Sequence, residues 1–374
     1  MLVSSKLPAA GSSARADPWP EDMGTEADRR FWPPGARSGQ PAGRQTMPLL
    51  YTRTESGRLP SYLRGLERLF GVRRARCRDL FLSPAPVLFL AAEETFLLYV
   101  IVSLLRAALG RRTAGLLFRP MPLAASSRWR CYWKRALLQR LKRCRSVQTL
   151  TILPLSVFPA FSSIADGWIY DFQLWDLTEE ERKAIEELRA QRCPVERPVL
   201  MAIGKQSVRK GLDLLADIYA RSALLRSSCQ FIACGKVEPA AAEHAGVLCE
   251  AGGVLVDRIV SDAQLLGAYA GSDAVWCLYP RIGDHAIGIL GRAAQLGIPV
   301  VVRQGSIAHR LCIVENLQHV AATADEVAAR LTGPLPPRDE PRGHRAALRF
   351  AEHSETTLRT ALGLAATHIP PAEI

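Results

Sequence analysis

The chain has 374 residues, 48 Lys and Arg against 36 Asp and Glu for a net charge of +12, and 48% hydrophobic residues. That length provides for two domains with a core each, and the composition excludes a disulfide-stapled miniprotein, a collagen-like repeat and a wholly disordered chain. The charge excess is local: residues 95–165 hold 12 Lys and Arg and no Asp or Glu, so the remainder of the chain is neutral overall. A segment of that kind implies an anionic partner for one surface.

In chain order, residues 1–46 are rich in Pro, Gly, Ser and Arg and lack the apolar core of a signal peptide. They read as a disordered extension, with Met47 a candidate start. Residues 87–92 read as a strand, 94–109 as a helix, 113–118 as a strand, 128–145 as a strongly basic helix and 147–155 as a strand. This first unit, 47–177, is α/β but shortened, with fewer strands than the second half of the chain. Its most apolar run, 95–105, is too short to span a bilayer and reads as a buried helix. Residues 178–197, polar and helix-prone from Thr178, form a linker.

From residue 198 the pattern is clearer. Short apolar runs at 199–204, 230–235, 254–256, 274–279 and 299–302 alternate with helical stretches at 210–225, 240–251, 262–270 and 286–296. That alternation predicts a parallel sheet covered on both faces by helices. Thr323 followed three residues later by Glu326 is a capping-box signature for a further helix. The second domain is placed at 198–342, and 343–374 hold a last amphipathic helix and tail.

The nine cysteines form no Cys-x-x-Cys pair and fall mostly in apolar runs, which reads as reduced thiols in a cytoplasmic protein. In an open parallel sheet, ligands bind outside the carboxyl ends of the strands. Each of the five second-domain strands is followed within two residues by a cation: Lys205, Lys236, Arg258, Arg281 and Arg303. Their shared edge predicts an anionic ligand such as a nucleotide diphosphate. The loop Gly204 to Gly211 adds Lys205, Arg209 and Lys210 before a helix N-terminus, whose unpaired N–H groups favour phosphate. Neither the P-loop order nor a Gly-x-Gly-x-x-Gly fingerprint is present.

Residues 197–335 resemble the donor-binding domain of GT-B glycosyltransferases, the large retaining, nucleotide-sugar-dependent group that includes bacterial polysaccharide and lipid-sugar transferases. The resemblance rests on Gly204-Lys205 with Lys210-Gly211, on Phe231-Ile-Ala-Cys-Gly235, on Gly271-Ser-Asp273, and on the ungapped segment from Pro280 to Val301. It implies two Rossmann-like domains and a nucleotide-diphosphate sugar as donor substrate, with no further cofactor. It also implies a saccharide or lipid-linked acceptor, with Lys205 and Lys210 on the diphosphate. Gly204, Gly235 and Arg258 would lie in the nucleotide-binding site, and Ala286 and Ile287 would present N–H groups to the phosphate.

The family carries two glutamates separated by seven residues in that segment. The first position here is Asp284, which would hold the donor sugar. The second is Arg292, which has donors only and cannot accept from ribose hydroxyls. Either the nucleotide is held differently, with Arg292 on a phosphate, or donor binding is compromised and the chain is a degenerate scaffold. No Asp-x-Asp occurs, which disfavours metal-dependent transfer and suggests a site without metal.

The helix 128–145 combines Trp129, Tyr132 and Trp133 with Leu137, Leu138, Leu141 and many cations, a composition suited to an anionic membrane surface. A peripheral position on the inner face of the cytoplasmic membrane is the corresponding expectation. Nucleic acid is disfavoured, because no zinc-finger spacing, RNP signature or helix-turn-helix accompanies the basic stretch.

Overall fold

The structure, a computed structural model, describes residues 47–53, 59–192, 196–283 and 287–364. The expectation of disorder for 1–46, and the candidate site residues Asp284 and Ala286, lie outside the described residues.

Two six-stranded parallel sheets follow each other along the chain. The first, in the order β2-β1-β3-β4-β5-β6, is built from β1 (Leu49–Tyr51), β2 (Arg73–Arg74), β3 (Val87–Phe89), β4 (Thr113–Leu117), β5 (Val147–Thr151) and β6 (Gly167–Trp168). The second, in the order β12-β11-β10-β7-β8-β9, is built from β7 (Val199–Ile203), β8 (Gln230–Cys234), β9 (Val254–Val256), β10 (Ala274–Cys277), β11 (Val300–Arg303) and β12 (His319–Ala322). The first sheet therefore does not have fewer strands than the second, contrary to the expectation from its sequence pattern. Its shortening lies in strand length, since β1, β2, β3 and β6 have three residues or fewer.

Side-chain alternation along each strand divides its residues between two faces. In the first domain, Leu50, Leu88, Leu116 and Leu150 pack under α1 (Leu59–Phe70). Leu49, Val87, Phe89 and Val147 pack under α2 (Cys77–Leu82), α3 (Phe96–Ala108) and α5 (Trp129–Leu141). A short α4 (Pro120–Ala125) precedes α5.

In the second domain, Leu200, Phe231 and Trp276 face α7 (Leu212–Arg221), α8 (Ala223–Ser228) and α9 (Ala242–Glu250). Met201, Val275 and Val302 face α10 (Asp262–Gly271), α11 (Gly288–Gln295) and α12 (Ile307–Val314). The helix expected at 210–225 is broken in two at Ser222, whose hydroxyl caps α8 by accepting from the Leu225 N–H. The helix announced by Thr323 is α13 (Val327–Thr332), with the Thr323 hydroxyl accepting from the Glu326 N–H.

Two segments join the domains. The linker forms α6 (Glu179–Ala190), opened by a reciprocal capping box between Thr178 and Glu181. The last helix, α14 (Glu340–Leu362), starts on the second domain, where a Cβ on Gly343 would lie 2.4 Å from the Gly297 nitrogen. It ends on the first domain, where Leu358, Ala361 and Leu362 complete the core around Leu50 and Leu88. On the way, the Ser354 hydroxyl accepts from the Tyr170 N–H at 3.0 Å, and His353 stacks on Trp168 at 4.7 Å between ring centroids.

Candidate functional site

The carboxyl ends of β7 and β8 meet through two glycines. Gly204 has φ +83° and Gly235 has φ +137°, and a Cβ on Gly235 would fall 2.2 Å from the Gly204 carbonyl oxygen. Only glycine allows that approach. The adjoining strand ends are bridged by Gly204 N–H donating to the Cys234 carbonyl and Gly235 N–H to the Val256 carbonyl, both at 2.9 Å.

Beneath them Gln206 is buried, and its amide donates to the carbonyls of Ala202, Gly204 and Cys234 at 3.0, 2.6 and 3.3 Å. Nothing in the amino-acid pattern marks this residue beyond its place in the loop. Three main-chain carbonyls at the strand ends are thereby satisfied from within.

The loop then makes a single 3₁₀ turn, Val208–Lys210, and enters α7 through Gly211 at φ +72°. A Cβ at Gly211 would stand 2.6 Å from the Leu278 carbonyl oxygen, so the turn is pressed against the end of β10. The Lys210 side chain folds back over Gly204: its Nζ lies 3.1 Å from where a Cβ of that glycine would be, with Ile289 Cδ1 at 3.5 Å. The turn Arg281–Gly283 packs on the same loop, since a Cβ on Gly283 would lie 2.2 Å from the Arg209 carbonyl oxygen. Gly283 thus lies against the loop that carries Lys210. Ile287 is buried at the N-cap of α11.

Of the five cations expected after the strands, Lys205, Lys236 and Arg258 follow β7, β8 and β9 by two residues, Arg303 is the last residue of β11, and Arg281 lies four residues beyond β10 in the turn Arg281–Gly283. They are not equally available to a ligand. Lys205 is paired with Glu238 at 2.5 Å and Lys236 with Asp257 at 3.1 Å. The Arg303 Nε donates to the Tyr279 carbonyl at 3.0 Å. Arg258 holds its Nε buried without a hydrogen-bond partner.

Burial also sets the protonation of the neighbouring groups. Desolvation pushes the Cys277 thiol, at the end of β10, up to about 12, against the pull of a hydrogen bond from Tyr279 and the Lys210 charge. It therefore stays a neutral thiol beside the loop.

Arg292 has a carboxylate partner of its own. It stands on α11 with Nη2 2.9 Å from the Asp176 carboxylate, while Nη1 is buried without a partner. Burial raises the Asp176 pKa, and the Arg292 charge opposes but does not cancel that shift.

The same helix is fastened to the interdomain segment at further points. Gln295 accepts from Leu177 N–H at 3.1 Å and donates to the Gln173 carbonyl at 2.6 Å. Cβ atoms on Gly288 and Gly291 would collide with Gln173. The face of α11 that carries Arg292 is therefore in contact with the segment Gln173 to Leu177 that precedes the linker helix. A cavity of about 200 Å³ opens beside it, lined in part by Arg64, Arg68, Asp176, Tyr269 and Arg292.

Among the described residues no helix is long and apolar enough to cross a membrane, and no group of three or more His, Cys, Asp or Glu is arranged to hold a metal ion. The eight described cysteines are free thiols.

No protein-family model matches the chain. No curated protein matches its sequence. Solved structures do. Anabaena Alr3699/HepE in complex with UDP aligns with a TM-score of 0.52 at 12% identity, over 84% of this chain and 98% of that one. A UDP-forming α,α-trehalose-phosphate synthase from Burkholderia vietnamiensis aligns at 13% identity and a TM-score of 0.47, over 77% of this chain and 74% of that one. At these identities the likeness is one of fold. Two parallel six-stranded Rossmann-like units in sequence, joined by a linker helix and recrossed by the last helix, give this chain the GT-B architecture.

Proposed function

We propose that the chain is a glycosyltransferase that moves a sugar from a nucleotide-diphosphate sugar to a saccharide or lipid-linked acceptor. The reaction would belong to polysaccharide or glycolipid synthesis at the cytoplasmic face of a membrane. The observation that carries the reading is the Lys210 ammonium folded over Gly204 where β7 and β8 end in paired glycines. Backbone without Cβ atoms and a cation at a carboxyl-end crevice suit a diphosphate. HepE, which shares the fold, was solved with UDP.

In this reading Lys210, and Lys205 once it exchanges Glu238 for phosphate, stabilise the negative charge that grows on the departing diphosphate. Arg258 turns its unpartnered Nε to the nucleotide, and the Ala286 and Ile287 N–H groups add to the phosphate site. Asp284 positions the donor sugar. The bond between the anomeric carbon and the diphosphate oxygen breaks, and the acceptor oxygen bonds that carbon. The acceptor proton passes to the leaving phosphate, so no side-chain base is required. Configuration is retained, and lysines take the part a divalent ion plays in metal-dependent transferases. The basic helix 128–145 faces an anionic membrane.

A second reading is favoured by Arg292. Its pairing with the Asp176 carboxylate supports a structural role for this residue, which suits a non-catalytic GT-B scaffold that binds a partner. Calorimetry with UDP, followed by a panel of nucleotide sugars assayed for nucleotide release with detergent-solubilised lipid acceptors, separates the two. Binding with release supports the transferase. The absence of any heat at millimolar UDP, ADP and GDP sinks it in favour of the scaffold.

A further inference from the structure

The helix α3 has two apolar sides. Phe96, Tyr99, Val100, Val102, Ser103 and Arg106 are buried against the first sheet. The exposed positions are Leu97, Ile101, Leu104, Leu105 and Ala108. Helical spacing puts these on one outward face, and none of them is polar. The four large ones are 59, 51, 47 and 52% exposed. A helix surface in contact with water ordinarily carries charged residues there. The run that reads from sequence as a buried helix is thus buried on one side only.

The neighbourhood extends this face. Beside α3 lies α5, with Trp133 edge-on to Phe96 at 5.7 Å between centroids and the Lys134 ammonium 5.0 Å from the Phe96 ring. At its start α5 exposes Trp129 and Tyr132, flanked by exposed Arg128 and Arg130. On the other side α2 packs against α3 and exposes Leu82. Of the acids around it, Asp79 lies on α2 and two precede the helix in sequence. The Glu93 carboxylate is engaged by the main-chain N–H groups of Phe118 and Arg119, and Glu94 follows it.

We propose that the outer face of α3, with Trp129 and Tyr132 of α5, docks on an anionic phospholipid bilayer, the leucines and isoleucine entering the headgroup–acyl boundary and the arginines of α5 meeting the lipid charges. Two observations select the bilayer over a second copy of the chain. The surrounding segment carries 12 positive charges and no negative one, so a two-fold pairing would set like charges against each other. A row of aliphatic side chains rimmed by aromatic and basic ones matches a helix lying in a membrane interface. This deepens the membrane-facing role proposed above by naming the contact, and its test needs no turnover.

The full chain would be sedimented with unilamellar vesicles of phosphatidylcholine alone and of phosphatidylcholine with 30% phosphatidylglycerol. The wild type should bind the anionic vesicles on the order of tenfold more strongly than the neutral ones. A Leu97→Gln, Ile101→Gln, Leu104→Gln variant, altered only at exposed positions, should lose about tenfold in binding with unchanged thermal unfolding and unchanged UDP binding. Arg128→Gln with Arg130→Gln should reduce the preference for anionic lipid. Wild-type binding by the triple glutamine variant overturns the proposal, as does failure of the wild type to sediment with either vesicle. A dimer in sedimentation velocity that the triple variant abolishes, without vesicle binding, overturns it in favour of self-association. Loss of UDP binding in the wild type would count against the transferase reading and leave the docking result standing.

Discussion

The two domains treat their cations differently. In the first, Arg106, Arg111, Arg135 and Lys142 donate to main-chain carbonyls: Arg106 to Leu80, Ser83, Ala85 and Arg112, Arg111 to Phe81, Arg135 to Leu123 and Ser126, and Lys142 to Ser162 and Ala165. In the second, and where the linker meets it, Arg226 and Arg303 also donate to carbonyls, but Lys205, Lys236, Arg192 and Arg292 pair with the carboxylates of Glu238, Asp257, Asp273 and Asp176. A carbonyl satisfies a guanidinium's hydrogen bonds without cancelling its charge, whereas a carboxylate does both. The first domain therefore keeps its positive field while its cations are structurally employed. The second keeps cations at its strand ends with much of their charge already answered.

The largest test of that contrast is Arg106, fully buried, with its Nε on the Thr113 hydroxyl at 3.1 Å in addition to its carbonyl partners. Burial brings its pKa down to about 10, so it remains charged at neutral pH. Arg106→Met should cost about 3–5 kcal/mol in urea unfolding, because several buried carbonyls lose their donor. A loss below about 1 kcal/mol would break the idea that carbonyls alone can hold a buried cation here.

Next is Asp273, which accepts from both Arg192 guanidinium nitrogens at 2.9 Å and from the Val199 N–H at 2.8 Å. Burial pushes its carboxyl up, but these donors outweigh it and the pKa lies below the usual carboxylate value. A depressed folded-state pKa contributes stability above the unfolded value of about 3.9, and that stability is lost as pH falls through the folded one. Asp273→Asn should therefore destabilise by about 2 kcal/mol at pH 7, and the gap from wild type should narrow in acid. Thermal unfolding across pH 2–7 reads this out, and a constant gap would contradict it.

At the donor edge, Lys210→Ala should weaken UDP binding about tenfold, or roughly 1.4 kcal/mol, with little change in melting temperature. Undiminished affinity in calorimetry would remove Lys210 from the site. The smallest effect expected is a gain: Glu238→Gln unmasks Lys205 and should tighten UDP by about two- to threefold, the scale of an exposed ion pair. Weaker binding in that variant would show that Glu238 serves the ligand and does not compete with it.

The parts of the fold that are legible in the sequence are those whose burial leaves a pattern. β7 to β11 lie within two residues of the apolar runs that announce them, because strands covered on both faces are apolar throughout. Helix α1 carries the signal, with Leu59, Tyr62, Leu63 and Leu66 buried at helical spacing, but is absent from the elements expected above, while strands β1, β2 and β6 carry none. A strand of two or three residues has no period to detect, and Arg73–Arg74 is a charged, exposed sheet edge.

At the site, Gly204, Lys210 and Gly235 are readable as strand-end residues, since a crevice needs glycine and a cation at fixed places. Gln206 is not, because its role depends on three carbonyls that only folding gathers. Asp176 is invisible as the partner of Arg292 for the same reason: the two are separated by more than a hundred residues. The outer face of α3 escapes a reading by pattern because an apolar helix has the same sequence whether its second side meets protein or something else.

The path of α14 has a consequence for biosynthesis. The core of the first domain is closed by Leu358, Ala361 and Leu362, which leave the ribosome after every strand of both sheets. Domains built from contiguous sequence can fold in turn as they emerge, but this one holds an open apolar face until translation has passed the second domain entirely. The order of synthesis and the order of completion are therefore reversed: the domain made first is finished last.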